Sequence, residues 1–188
     1  GELLFRLAKR CANRGAIVEI GSWKGKSTIW LANGSKAGHQ AKVYAVDPHT
    51  GSYEHHRWLG SVWTFHELQK NLATAGVADL VVPLVKTSQE AARDFSLPVE
   101  LIFIDGAHDY HLVKLDFELW FPKLINGGIM VFHDTCGWAS WPGPVKVVKQ
   151  LVYKSSRFKN INILQSITYA EKTAKNTTNN SSNIFFDV

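Results

Sequence analysis

The residues of this chain that can do chemistry gather in five short stretches: "EIGSWKG" (19–25), "VDPHTG" (46–51), "KTSQE" (86–90), "IDGAHDY" (104–110) and "FHDTCG" (132–137). In the last two, Asp105 and Asp134 are candidates to share one ion, because carboxylates brought close repel unless a cation or a shared proton intervenes. Hard oxygen ligands suit Mg²⁺ or Ca²⁺. His133 is a third candidate ligand, and its imidazole would shift the preference toward a transition metal. An alcohol attacking an electrophile must lose its proton near neutral pH. His108 is the first candidate base and His133 the second, while a metal that lowers the hydroxyl pKa is the other route. The plainer alternative keeps Asp105 for a cofactor and has Asp134 cap a turn.

The stretch Val18–Thr28, "VEIGSWKGKST", ends like a nucleotide-triphosphate loop. That loop needs four residues between its glycines, whereas Gly21 and Gly25 enclose three. A dinucleotide loop fails too, since Trp23 and Lys26 stand where its second and third glycines would be. Asp47, 26 residues past Gly21, suits a ribose hydroxyl. Glu19, before the turn, suits a cationic amino group. A ligand with a ribose, an ammonium and no phosphate fits these residues, and S-adenosylmethionine is such a ligand. Taken singly, Gly21 and Gly25 could be turn glycines and Asp47 a helix cap.

Elements must carry these stretches. "AIVEI" (16–20), "KVYAV" (42–46), "LVVPLV" (80–85), "ELIFI" (100–104) and "GIMVF" (128–132) read as strands buried on both faces. "KSTIWLANGSK", "SVWTFHELQKNLATAG", "TSQEAARDF" and "YHLVKLDFELWFPKL" read as helices between them. Such alternation predicts an α/β fold with an open parallel sheet, whose ligand sits beyond the carboxyl ends of the strands. After Asp134 come a loop with Trp138 and Trp141, a helix near 144–155, and two expected strands, "INILQSI" and "NIFFDV". The polar tract "EKTAKNTTNNSS" between those strands is expected to be a hairpin tip.

In this order, the strand ends are similar to those of class I S-adenosylmethionine-dependent methyltransferases. "EIGSWKGKST" resembles the loop of catechol-type O-methyltransferases. "LIFIDGAHDYHLVKLDFELWFPKLINGGIMVFHD" resembles the cephalosporin hydroxylase-like and macrolide-sugar O-methyltransferases. The resemblance covers most of residues 16–135. It implies a Rossmann-like, doubly wound, mostly parallel seven-stranded sheet with an antiparallel C-terminal strand. It also implies that Glu19, Gly21, Ser22, Gly25 and Ser27 line the methionine end of the cofactor, Asp47 its ribose and Ser88 its adenine, with Asp105 beside it. A divalent metal, Mg²⁺ first, would sit on Asp105, Asp134 and His133. The pattern departs from the families where Thr135 replaces an Asn and where His133 replaces an acidic residue.

At 188 residues the chain is expected to be one domain, 1–188, beginning at Gly1 as a chain truncated at its N-terminus would. A hydrophobic share of 45% and a net charge of +5, with its basic residues scattered, exclude neither enzyme nor binder but argue against nucleic acid as a partner. The nucleic-acid N-methyltransferase alternative expects Asn/Asp-Pro-Pro-aromatic where this chain has "IDGAHDY". A non-catalytic cofactor-binding module is the other alternative. No apolar run nears the roughly 20 residues of a membrane span. Two cysteines without metal or redox spacing point to a cytoplasmic setting. The expected acceptor is a small-molecule hydroxyl, on a sugar or phenol, framed by "PHTGSYEHHRW" (48–58) and "GWASWPGPVK" (137–146). The first of these segments is expected to be a lid or a homo-oligomer contact.

Overall fold

The computed structural model describes residues 1–51, 56, 60–138 and 140–174. Its sheet has seven strands in the order β3-β2-β1-β4-β5-β7-β6. These are β1 (Ala16–Ile20), β2 (Val43–Val46), β3 (Val81–Leu84), β4 (Val99–Ile104), β5 (Leu124–Phe132), β6 (Phe158–Leu164) and β7 (Ile167–Lys172). The first five pair in parallel, β7 runs antiparallel to β5, and β6 antiparallel to β7. Every residue of β1 and β4 is buried, as central strands covered on both faces require. In β3, expected to be buried on both faces, only Val81 is buried, because the strand lies at the sheet edge.

Side chains alternate between two cores. In β4, Leu101 and Phe103 join Ile17 on one face, under helices α1 (Glu2–Arg10), α2 (Lys26–Lys36) and α3 (Phe65–Thr74). Ile102 and Ile104 face the other way, under α4 (Ser88–Asp94), α5 (Tyr110–Trp120) and α6 (Pro142–Val147). Trp120 and Phe117 of α5, at 0% and 1% exposure, anchor that second core. The α4 start is fixed by a reciprocal cap between Thr87 and Glu90. Helix α6 runs into a π-helical turn, Val148–Tyr153. The fold is thus α/β, doubly wound and Rossmann-like, as the strand-helix alternation predicts. Among the described residues no helix is long and apolar enough to cross a membrane.

The C-terminal hairpin corrects one expectation. "INILQSI" is not a single strand: it holds the end of β6, a turn at Gln165-Ser166 and the start of β7, with Leu164 paired to Ile167. Gln165 takes the left-handed conformation the turn needs, φ 55°. The hairpin tip therefore lies there, and Glu171 and Lys172 of the polar tract belong to β7. "NIFFDV" and most of the tract lie outside the described residues, as does most of the segment 48–58.

Candidate active site

Each parallel strand ends at the same rim. After β1 the chain turns sharply, with Gly21, Trp23 and Gly25 at φ 90°, 47° and 89°. A Cβ on Gly21 would collide with the Asp105 carbonyl, and one on Gly25 would come within 2.7 Å of Leu68 Cδ1. Turn geometry and packing thus account for both glycines. Asp47 is 8% exposed. Its Oδ2 accepts from the Trp23 N–H at 2.8 Å and its Oδ1 from the His49 N–H at 2.6 Å. The carboxylate therefore clamps the first loop to the second, and a carboxylate's further lone pairs can still accept from a ligand.

Glu19 shares a face with Ile17 and has no exposed surface. Its Oε2 accepts from the Thr28 hydroxyl, while Oε1 has no partner. Burial pushes its pKa up to about 7, against hydrogen bonds from Ser27 and Thr28 that favour the anion. Ser22 is 1% exposed, and its Oγ lacks a partner too.

His49 was missed in the sequence. Its ring is wholly buried, its Nδ1 lies 2.9 Å from Thr64 Oγ1, and its Nε2 makes no hydrogen bond. Burial lowers its pKa. One histidine among several in a loop gives no sequence signal; only its packing against Phe65 and Trp63 sets it apart.

Among the described residues, the buried side-chain polar atoms without hydrogen bonds are Glu19 Oε1, Ser22 Oγ, His49 Nε2 and His133 Nδ1. All lie just at or beyond the carboxyl ends of β1, β2 and β5. An unsatisfied buried polar atom costs about 1–3 kcal/mol, so Glu19 Oε1, Ser22 Oγ and His49 Nε2 are available to a ligand or to water at this rim, while His133 Nδ1 faces two carboxylates. Ser88 differs: its Oγ accepts from Trp120 Nε1 at 2.9 Å and also bonds Asp116. Its hydroxyl is committed to α5, and Asp116 is held up near a pKa of about 6 by burial.

Asp105 and Asp134 follow neighbouring strands, β4 and β5, in which Ile104 pairs with Phe132. One donor atom each from Asp105, His133 and Asp134 lies within 4.8 Å of the others. His133 Nδ1 stands 2.8 Å from Asp134 Oδ1 and 3.2 Å from Asp105 Oδ1, ion-pair distances to both. Those spacings match the roughly 3 Å between adjacent ligands of an octahedral ion with bonds near 2.1 Å. The donor set, two carboxylates and one imidazole, therefore fits a divalent cation. The Asp105 contact first, and then the charge of Asp134, raise the His133 pKa to about 9 despite burial. The two carboxylates thus favour the charged ring over the neutral one.

His108 lies beside this set, its Nε2 3.0 Å from Asp134 Oδ2. Its ring stacks on Trp141, with centroids 4.5 Å apart. Trp138, in the same loop as Trp141, is fully exposed. A cavity of about 10 Å³, lined by Asp105, His108, His133 and Asp134 among others, has room for about one water.

Comparison with known proteins matches residues 18–135 to a family described as a methyltransferase domain. The uncharacterized protein y4gI of Sinorhizobium fredii is 36% identical over 121 residues, a match covering 63% of this chain and 13% of that protein. The chain thus spans a small part of that relative's length. Among solved structures, the O-methyltransferase NovP superposes with a TM-score of 0.76 at 18% identity, over 92% of this chain and 79% of NovP. The O-methyltransferase TomG from Streptomyces achromogenes, solved in complex with S-adenosylmethionine, gives 0.65 at 19% identity, over 92% and 79%. At such identities the structures show a shared fold. The family match spans β1 through the end of β5, the same strand ends that converge on this rim, and the chain belongs to the methyltransferase-domain family.

Proposed function

We propose that the chain is an S-adenosylmethionine-dependent O-methyltransferase that acts on a small-molecule hydroxyl with the help of a divalent cation. The observation that carries this reading is the set of buried, unpartnered polar atoms at the rim, Glu19 Oε1 and Ser22 Oγ foremost. Glu19 offers a carboxylate oxygen to an ammonium, and Ser22 a hydroxyl to the same end of the ligand. Asp47 has lone pairs left for ribose hydroxyls. Three carboxylates, Glu19, Asp47 and Asp105, would repel a polyphosphate, which favours a sulfonium nucleoside over ATP or NAD. That cofactor supplies a methyl group on a positively charged sulfur. NovP and TomG, O-methyltransferases of the same fold, are in keeping with the reading.

Asp105, His133 and Asp134 would hold the cation, whose contribution is to lower the pKa of an acceptor hydroxyl. Alignment of the acceptor hydroxyl with the methyl group at this rim would supply part of the acceleration. Trp138 and Trp141 offer aromatic surface suited to a sugar or a planar phenol.

The test is calorimetry with S-adenosylmethionine, followed by labelled-methyl transfer to a panel of catechols and sugars with and without chelator. Cofactor binding, transfer to a hydroxyl and its loss in chelator are the expected results. Binding of ATP or NAD in place of S-adenosylmethionine would overturn the cofactor assignment. Full transfer in excess chelator would remove the cation, and methylation of RNA instead would replace the acceptor class.

A further inference from the structure

The loops after β4 and β5 are locked together around His108. Its imidazole lies flat on the Trp141 indole, the planes 11° from parallel, and its Nε2 lies 3.0 Å from Asp134 Oδ2. Trp141 is in turn tied to the residue that His108 contacts, its backbone N–H donating to the Asp134 carbonyl at 2.9 Å. At the start of α6, a Cβ on Gly143 would collide with the His108 carbonyl, so the helix sits hard against the loop. Tyr110 closes the other side, donating to Gln150 Oε1 at 2.7 Å beneath the Lys146 ammonium.

The contact with Asp134 uses one imidazole nitrogen, as it would in a base held by its carboxylate, and leaves the other able to take a proton. What marks His108 for positioning is the stack, which fixes the ring with Nε2 on the carboxylate. Asp134, by contrast, needs outside support: it sits in the left-handed region at φ 56°, and its two oxygens have separate tasks. Oδ1 belongs to the cluster with His133, 2.8 Å away, and Oδ2 is the one that meets His108.

We infer that His108, backed by Trp141, is a positioning residue that orients the Asp134 carboxylate toward the cation, and is not the base. The inference rests on the cation reading proposed above. It makes the tryptophan loop and the cation site one mechanical unit, so that a shift of Trp141 disturbs the ligand set without touching it.

Mn²⁺ alone, titrated calorimetrically into the whole chain, tests this without cofactor or acceptor. The wild type should bind. H108A and W141A should bind at least 10-fold more weakly, within the roughly 10–100-fold range for losing an outer partner of a metal ligand. H108Q, whose amide can still donate to Asp134, and W141F, which keeps a flat ring, should stay within about threefold. H108N, one methylene shorter, should lose affinity like H108A, and circular dichroism would confirm that each variant is folded. In methyl transfer, the acid limb of kcat against pH should fall at the same pH in H108Q as in wild type. Wild-type Mn²⁺ affinity in folded H108A or W141A would overturn the inference. So would an H108Q variant that binds Mn²⁺ normally but loses the acid limb, which would make His108 the base. A wild type that binds no Mn²⁺ would overturn the cation reading itself, and this inference with it.

Discussion

Glu19 carries a testable conflict within a single side chain. Burial raises its pKa to about 7, yet the proposed partner is an ammonium that needs the anion. Binding of S-adenosylmethionine should therefore tighten as pH rises through about 7 and weaken again once an α-amino group deprotonates, near pH 8. Calorimetry from pH 6 to 9 should show the maximum between these values, and E19Q should bind weakly with no acid limb. An unchanged pH profile in E19Q would remove Glu19 from the ammonium site. Asp47 makes the companion case. D47A should lose at least 10-fold in cofactor affinity, because it deletes the ribose acceptor and frees the Trp23 and His49 amides together. These carboxylates were legible in the sequence, since a charged residue at the end of an apolar strand has few structural uses. His49 and Thr28 were not, because their importance comes from what the fold packs around them.

At the scale of elements, apolar runs located the five parallel strands: β1 and β4 because central strands must be apolar on both faces, and β3, at the sheet edge, without that constraint. Helix α2 was legible to the residue, since Gly25 and the following "KST" mark its start. The hairpin was not. Its turn, Gln165-Ser166, has neither Gly nor Asn, and the apolar run passes straight through it. Gly25 tests how tightly the first loop is built. G25A would place a Cβ where φ is 89° and Leu68 Cδ1 is 2.7 Å away. Backbone strain and overpacking should together cost about 1–3 kcal/mol, read as a lower midpoint in urea denaturation. A G25A protein as stable as wild type would mean that the α2 start can shift away from α3, contrary to this close contact.

For the whole molecule, the rim concentrates groups whose protonation folding disturbs, so the same groups should make stability and ligand binding depend on pH in opposite senses. Glu19 has a folded pKa of about 7 against an ordinary 4.5, so the folded state holds a proton the unfolded chain has released. Its contribution to stability is complete below pH 4.5 and lost as pH rises through about 7. His133, raised from 6.5 to about 9, works in the same direction, contributing fully below 6.5 and losing that contribution as pH rises through about 9. Asp116, raised to about 6, has lost most of its contribution before this window opens. His49, lowered by burial, opposes them only below 6.5, where the unfolded chain binds the extra proton. Between pH 6.5 and 9 the ligand-free protein should therefore lose stability, mainly through His133, with Glu19 adding the last part of its own loss, on the order of 1 kcal/mol. Thermal melts should show Tm falling across that window, and falling less in E19Q. An ammonium on Glu19 and a cation among Asp105, His133 and Asp134 would replace the missing protons. Stabilisation by S-adenosylmethionine should accordingly be larger at pH 7.5 than at pH 6, and that by Mn²⁺ larger at pH 8.5 than at pH 6, since ligand binding must then displace fewer protons. A ligand-free Tm that rises from pH 6.5 to 9 would show that these buried groups do not govern the stability of the fold.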